Sequence, residues 1–359
     1  MADTLVDAEE PVPSTERDPD VPGPAAPPPR PSRAQTLFVV LFAAFFLGGA
    51  TAGALWFFVF RYEPTALSHV PAGSNVVVRI EASDIVLFGP VRNHLLPLVM
   101  EDKPPGPALN KVPIVQRLHE RTGVRLPVDV REVLVATMDG KSVVALFGGR
   151  IARGKFVAGL SEVAREEGWS NFRVDGDVLV GPHVAVGQAD DGTIVVGTDK
   201  AIVMTALPAT DDGAKLGLPE RGAVTFVVAK PAWEVLSTTR ELVPQAGAFD
   251  GVGRGTGSFI LGGSPEIVMR LEPTQGADSA AIERGVTALL SNVRLLTLLM
   301  PDRAGEKEAL RQAVVSREGA DVVVRAPWPY DGLDRAAAHL AARLRGNGVA
   351  DEAPRPFVP

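Results

Sequence analysis

The sequence predicts an α+β fold: a single transmembrane helix, then antiparallel sheet covered by helices, arranged as two related modules with one face of each sheet covered. Three observations predict it. One apolar run near the N-terminus carries no charge over Leu37–Phe60. Beyond it, short β-branched runs joined by Asp-Gly or Glu-Gly pairs alternate with amphipathic helical stretches, the pattern of hairpins and covering helices. The pattern then restarts: "PERGAVTFVVAKPAWEVL" from Pro219 overlays "PAGSNVVVRIEASDIVL" from Pro71 without a gap. The chain divides on this reading into an acidic, Pro-rich tail (1–33), the span (34–61), a first module (62–210), a second module (211–346) and a C-terminal tail (347–359). A single continuous sheet is the alternative to two modules.

The tail has nine prolines between Pro11 and Pro31 and carries seven acids against three arginines. It has too little apolar surface to offset its ordering entropy, so an extended spacer is expected. Its "PPPRP" also has the composition of a ligand for a proline-binding groove. At 1.5 Å rise per residue the apolar run "LFVVLFAAFFLGGATAGALWFFVF" is long enough for a hydrocarbon core of about 30 Å. A buried soluble helix of this length would show a polar face. A cleaved signal peptide would have a shorter apolar core without a long acidic leader. Arg30 and Arg33 precede the span and Arg61 follows it, which favours a cytoplasmic N-terminus. Gly49 and Gly53 form a GxxxG within the span, the spacing at which two helices approach closely, so a homodimer through this helix is a candidate.

In the first module, "SNVVVRI" reads as a strand and "VPIVQRLHERTG" as a helix closed by Gly123. "EVLVAT" and "SVVALFGG" read as a hairpin turning at Met138-Asp139-Gly140-Lys141. The trio Gly140-Lys141-Ser142 is also how a phosphate-binding loop ends, but that loop needs Gly where Val135 stands and a helix where "VVALF" predicts a strand. The helix "KFVAGLSEVAREEGW", short strands turning at Asp175-Gly176 and Asp191-Gly192, and a helix capped by Thr198 or Asp199 complete the module. The second module adds the hairpin "GSFILGGSPEIVMRLEP" and a helix whose apolar stripe is Ile282, Val286, Leu289, Val293 and Leu296. A strand pair turning at Glu318-Gly319 and a helix from Asp331 or Asp334 to Arg345 end it.

The opening "VPAGSNVVVRI" after a span, followed by "GVRLPVDVREVLVATMDGKSVVALFGGRI", resembles bacterial single-pass membrane-anchored exported proteins of unknown function. The likeness is one of pattern over most of Ser68–Arg345. It implies an α+β envelope domain and carries no catalytic residue with it.

Few chemistries survive inspection. The chain has no cysteine, which excludes disulfides, thiolate metal sites and cysteine nucleophiles. With the tail set aside, 33 basic residues face 36 acidic ones without a basic cluster, so no nucleic-acid partner is expected. His119-Glu120 lacks the second histidine of a zinc-protease helix, since position 123 is Gly. The five histidines (69, 94, 119, 183, 339) have no ligand spacing and read as surface or half-buried residues. "GVGRGTGS" (Gly251–Ser258) has Thr256 or Ser258 where a dinucleotide loop needs its third glycine, and it reads as a flexible loop. No metal, cofactor or catalytic residue is therefore assigned. Trp328 and Tyr330 in "APWPYDG" are candidate interface anchors, against the simpler reading of a wedge between the last strand and the last helix.

The expectation is a non-enzymatic protein of the bacterial cytoplasmic membrane. Its N-terminus is cytoplasmic, and its periplasmic or extracytoplasmic domain binds an envelope partner and scaffolds or regulates an assembly. The alternatives are a tethered carrier of lipid or another apolar ligand, and a hydrolase with an unrecognised site.

Overall fold

The computed structural model describes residues 64–100, 114–125, 128–138, 142–230, 232, 244–297 and 301–345. The tails, the apolar run with Gly49 and Gly53, and the Asp139-Gly140-Lys141 turn lie outside the described residues. Among the described residues no helix is long and apolar enough to cross a membrane.

Twelve strands form one open sheet. In chain order they are β1 (Val76–Glu81), β2 (Val130–Thr137), β3 (Val143–Gly149), β4 (Arg173–Asp175), β5 (Val178–Val180), β6 (Ala185–Gln188), β7 (Ile194–Gly197), β8 (Val224–Ala229), β9 (Val252–Ile260), β10 (Glu266–Pro273), β11 (Val314–Glu318) and β12 (Asp321–Pro327). They lie side by side as β11-β12-β10-β9-β8-β1-β2-β3-β7-β6-β5-β4, and every ladder between them is antiparallel. The strand predicted after Lys141 is β3, so the phosphate-loop reading fails on structure as it did on sequence.

Nine helices accompany the sheet among the described residues. They are α1 (Ala82–Leu87), α2 (Leu96–Met100), α3 (Ile114–Thr122), α4 (Phe156–Glu166), α5 (Lys200–Ala206), α6 (Asp212–Lys215), α7 (Ser279–Thr297), α8 (Glu306–Gln312) and α9 (Tyr330–Leu344). Their ends follow the sequence signals. Gly123 stops α3 with φ +75°, a conformation that side chains with a Cβ resist. Asp199 caps α5 by accepting from the Ile202 N–H at 3.0 Å.

The two stretches read as modules meet at the β1–β8 ladder. The overlay that sets Pro219 on Pro71 also sets Val224 on Val76, Phe226 on Val78 and Val228 on Ile80. In the sheet Val78 pairs with Phe226, Val76 with Val228 and Ile80 with Val224. Each residue thus faces the counterpart of its mirror position, and a local two-fold axis runs through the Val78–Phe226 pair. Strands β2 and β3 on one side correspond to β9 and β10 on the other. The correspondence continues outward, with β7 beside β3 and β12 beside β10, then β6 and β11, and leaves only β5 and β4 without counterparts among the described strands.

The halves differ in their covering layers. In the first, Val77, Leu134, Leu146 and Val195 face one layer, the turn Ala66–His69 and α5. Phe147, Val186, Ile194 and Val196 face the other, α3 and α4. This departs from the single covered face expected of each module. The reason lies in the strands: "VLVA", "VVALF" and "IVVG" are apolar at consecutive positions and need partners on both sides. In the second half α7 covers Leu271, Val322 and Met269, while the opposite face carries Arg254, Glu272, Arg270, Asp321, Glu318 and Arg325 in ion pairs. Strand β10, "EIVMRLEP", puts Glu266, Arg270 and Glu272 on that face, which is half-exposed, with Thr256 and Val323 buried beside Arg270. On α7, Ile282 and Val286 are buried, but Leu296 of the expected stripe is exposed.

The segment Gly251–Ser258 is not a flexible loop; most of it is β9, in the interior of the sheet. Gly257 pairs with Phe226, and a Cβ there would stand 2.3 Å from the Phe226 ring. The glycine serves close approach of a ring that lies over the strand. Replacing Gly257 by Ala is expected to destabilise the domain by about 1–3 kcal/mol. In a Phe226→Leu background the same change is expected to cost measurably less. A double-mutant cycle of denaturant unfolding reads this coupling.

Candidate functional site

The described chain begins with a segment pinned to the centre of the sheet. The turn Ala66–His69 follows Thr65, and five polar links hold it. The Ala66 N–H donates to Glu132 Oε1 at 2.9 Å, and the Thr65 and Thr193 hydroxyls meet at 2.8 Å. His69 Nδ1 lies 2.9 Å from the Ala206 carbonyl and Nε2 3.0 Å from Asp191 Oδ2. The Thr210 N–H donates to the Ser68 carbonyl at 2.7 Å. Gly213 lies so close to the Leu67 carbonyl that a Cβ would sit 1.9 Å from it. A larger residue there would push the turn off the sheet.

Each anchoring side chain owes its place to a strand or a tight turn. Glu132 and Glu81 are direct cross-strand partners on β2 and β1, and Arg79, two residues before Glu81, shares their face. Arg79 pairs with Glu81, and its Nε lies 3.3 Å from Glu132 Oε2. Glu132 is fully buried. Burial pushes the Glu81 carboxyl above its ordinary pKa; the neighbouring Glu132 charge adds to this and Arg79 opposes it. Asp191 sits in the β6–β7 turn, where Gly192 takes φ +100°. Burial raises its pKa, but the Thr193 N–H at 2.8 Å and His69 outweigh that, and the carboxyl ends below the ordinary aspartate range.

This constellation binds chain to chain. Glu81 and Glu132 are paired carboxylates, yet Glu132 is closed to solvent and already accepts the Ala66 N–H, so no substrate reaches it. Among the described residues no group of three or more His, Asp or Glu side chains could hold a metal ion. His69, expected at or near the surface, is buried, with both ring nitrogens facing acceptors. Trp328 and Tyr330 wedge the start of α9. The Trp328 indole N–H donates to the Ala304 carbonyl at 2.6 Å and its ring lies 6.1 Å from Phe259. The Tyr330 ring meets Phe88 edge-on at 5.5 Å.

Glu132, Arg79, Glu81, His69 and Asp191 escaped sequence reasoning. The available signal was charge inside apolar strands: Arg79 and Glu81 at i, i+2 in "VVVRIE", and Glu132 in "VREVLVAT".

Replacing Glu132 by Gln leaves the Arg79 charge short of a partner and is expected to destabilise the domain by ~3 kcal/mol in denaturant unfolding. Asp191 has a folded pKa below its unfolded value, near 3.8, so the stability it supplies is complete above that range and is lost as pH falls through the folded value. The difference in thermal midpoint between the protein and its Asp191→Asn variant is therefore expected to be largest near neutrality and to shrink on acidification below pH 3.8.

No protein-family model matches the chain, and no curated protein matches its sequence. Among solved structures it shows a distant structural resemblance to TP0453 in three crystal forms. Form III aligns with TM-score 0.40 and 10% identity over 80% of this chain and 99% of that one. Form I gives 0.40 and 10% over 78% and 100%, and form IV gives 0.38 and 9% over 80% and 98%.

Proposed function

We propose that the chain is a non-catalytic protein anchored in the bacterial cytoplasmic membrane by Leu37–Phe60. Its N-terminal tail is cytoplasmic, and its sheet domain lies on the outer side, where it binds a protein partner and scaffolds or regulates an envelope assembly. One observation carries the non-catalytic reading. The three buried ionisable side chains among the described residues, His69, Asp129 and Glu132, are all engaged by the chain itself, Asp129 through the Arg125 N–H at 2.7 Å and the Arg125 guanidinium. None faces a cleft with its chemistry free, as an acid, base or nucleophile needs. The symmetric β1–β8 register supports an origin of the domain in two copies of one module. Gly49 and Gly53 supply the helix-packing face for a homodimer in the membrane.

Because the chain has no cysteine, one introduced thiol reports topology without background. A Leu344→Cys variant is expected to react with a membrane-impermeant maleimide in intact spheroplasts, and a Thr4→Cys variant only after lysis. The reverse pattern overturns the orientation. Native mass spectrometry of the full-length protein released from its own membranes is expected to show a second polypeptide at fixed stoichiometry. A protein that appears alone, in one or two copies, overturns the scaffold.

A further inference from the structure

Where α4 ends, the chain builds a rigid aromatic ledge. The Trp169 N–H donates to the Ala164 carbonyl at 2.8 Å and the Gly168 N–H to the Arg165 carbonyl at 3.1 Å, with Gly168 at φ +73°. These are the paired bonds of a Schellman motif, which fixes the residue after the glycine relative to the helix. The Trp169 ring then lies 5.4 Å from Phe172 at 42°. Phe172 in turn rests on Gly181, where a Cβ would stand 2.7 Å from the ring. Both rings are positioned by backbone, and Trp169 remains 38% exposed.

The ledge floors a groove of about 380 Å³ between α4 and the hairpin β4–β5, within the size range of small-molecule clefts. Its walls include Ser161, Ala164, Val174 and Leu179, and its rim carries Arg165 and Arg173. No carboxylate lines it. Both arginines are exposed, and neither is in an ion pair within 4.0 Å among the described residues. The nearby Asp175 is held by Lys200 at 2.8 Å. Six other arginines, Arg79, Arg117, Arg121, Arg125, Arg254 and Arg270, each have a carboxylate partner.

We propose that this groove binds a small anionic ligand, a carboxylate or phosphate monoester joined to a flat apolar body. The apolar ring stacks on Trp169 and Phe172, and the oxyanion lies between the Arg165 and Arg173 guanidinium groups, whose forked donors suit either acid. The serine hydroxyls of Ser161 and Ser170 are within the same wall to take a further hydrogen bond. The inference goes beyond the scaffold reading and does not depend on it.

The test uses full-length protein labelled with 5-fluorotryptophan, whose four tryptophans give four fluorine resonances, that of Trp169 assigned with a Trp169→Phe variant. Titration with 1-naphthoate and, separately, with 1-naphthyl phosphate is expected to shift the Trp169 resonance saturably, and the tighter of the two identifies the acid. The neutral 1-naphthalenemethanol is expected to bind roughly tenfold more weakly, as is 1-naphthoate to the Arg165→Ala/Arg173→Ala variant. Both arginines are exposed, so this variant keeps its thermal midpoint. An unmoved Trp169 resonance, equal affinity for the neutral compound, or undiminished binding by the double variant would overturn the proposal.

Discussion

Arg79 places a positive charge on β1, the strand that joins the two halves of a twelve-stranded sheet. Its cross-strand neighbours are Leu134 on one side and Thr225 on the other, and neither can neutralise it. A charge in that position is tolerated only if partners are built around it. Glu81 and Glu132 supply them, and Glu132 then presents a second oxygen that must also be satisfied. The Ala66 N–H satisfies it, which sets the turn Ala66–His69 on the sheet. The location of His69, the Asp191 turn and the close packing at Gly213 follow from seating that turn. An ion pair on β1 and β2 thus fixes where the turn Ala66–His69 sits.

The other ladder of β1, with β8, sets the symmetry of the domain. Val78 opposite Phe226 relates the two halves, and an extended sheet grows outward from this ladder in both directions. What each half packs against depends on strand composition. Consecutive apolar residues in β2, β3 and β7 draw helices to both faces, whereas the charged residues of β10 and β12 put half-exposed ion pairs on one face. Both outer edges are blunted by charge: Asp175 of β4 is paired with Lys200, and Glu318 of β11 with Arg270 and Arg325. Short or ion-paired edge strands resist edge-to-edge association, so a partner is better sought on helical or groove surfaces than by extension of the sheet.

Much of this architecture was legible in local sequence. Asp175-Gly176, Asp191-Gly192 and Glu318-Gly319 each mark an observed turn, with the glycine at positive φ. The helices ending at Gly123 and beginning at Asp199 follow their caps. The misreadings have a common cause in tertiary contact. The glycines of "GVGRGTGS" imitate a loop, but the ring that Gly257 makes room for, Phe226, arrives from another strand. His69 has no nearby ligand in sequence; its partners, Asp191 and Ala206, come from the far side of the first half. Glu132 likewise meets Arg79 only through strand pairing. A periodic pattern reports which face a residue takes, but not which residue will stand opposite.

Glu132 holds the Ala66 amide, and that amide can be followed directly. Native-state hydrogen exchange of the full-length protein is predicted to find Ala66 protected as strongly as the amides of β1, opening only when the sheet opens. An Ala66 amide that exchanges at the rate of an unstructured peptide, while β1 stays protected, would contradict the central role given to the buried ion pair.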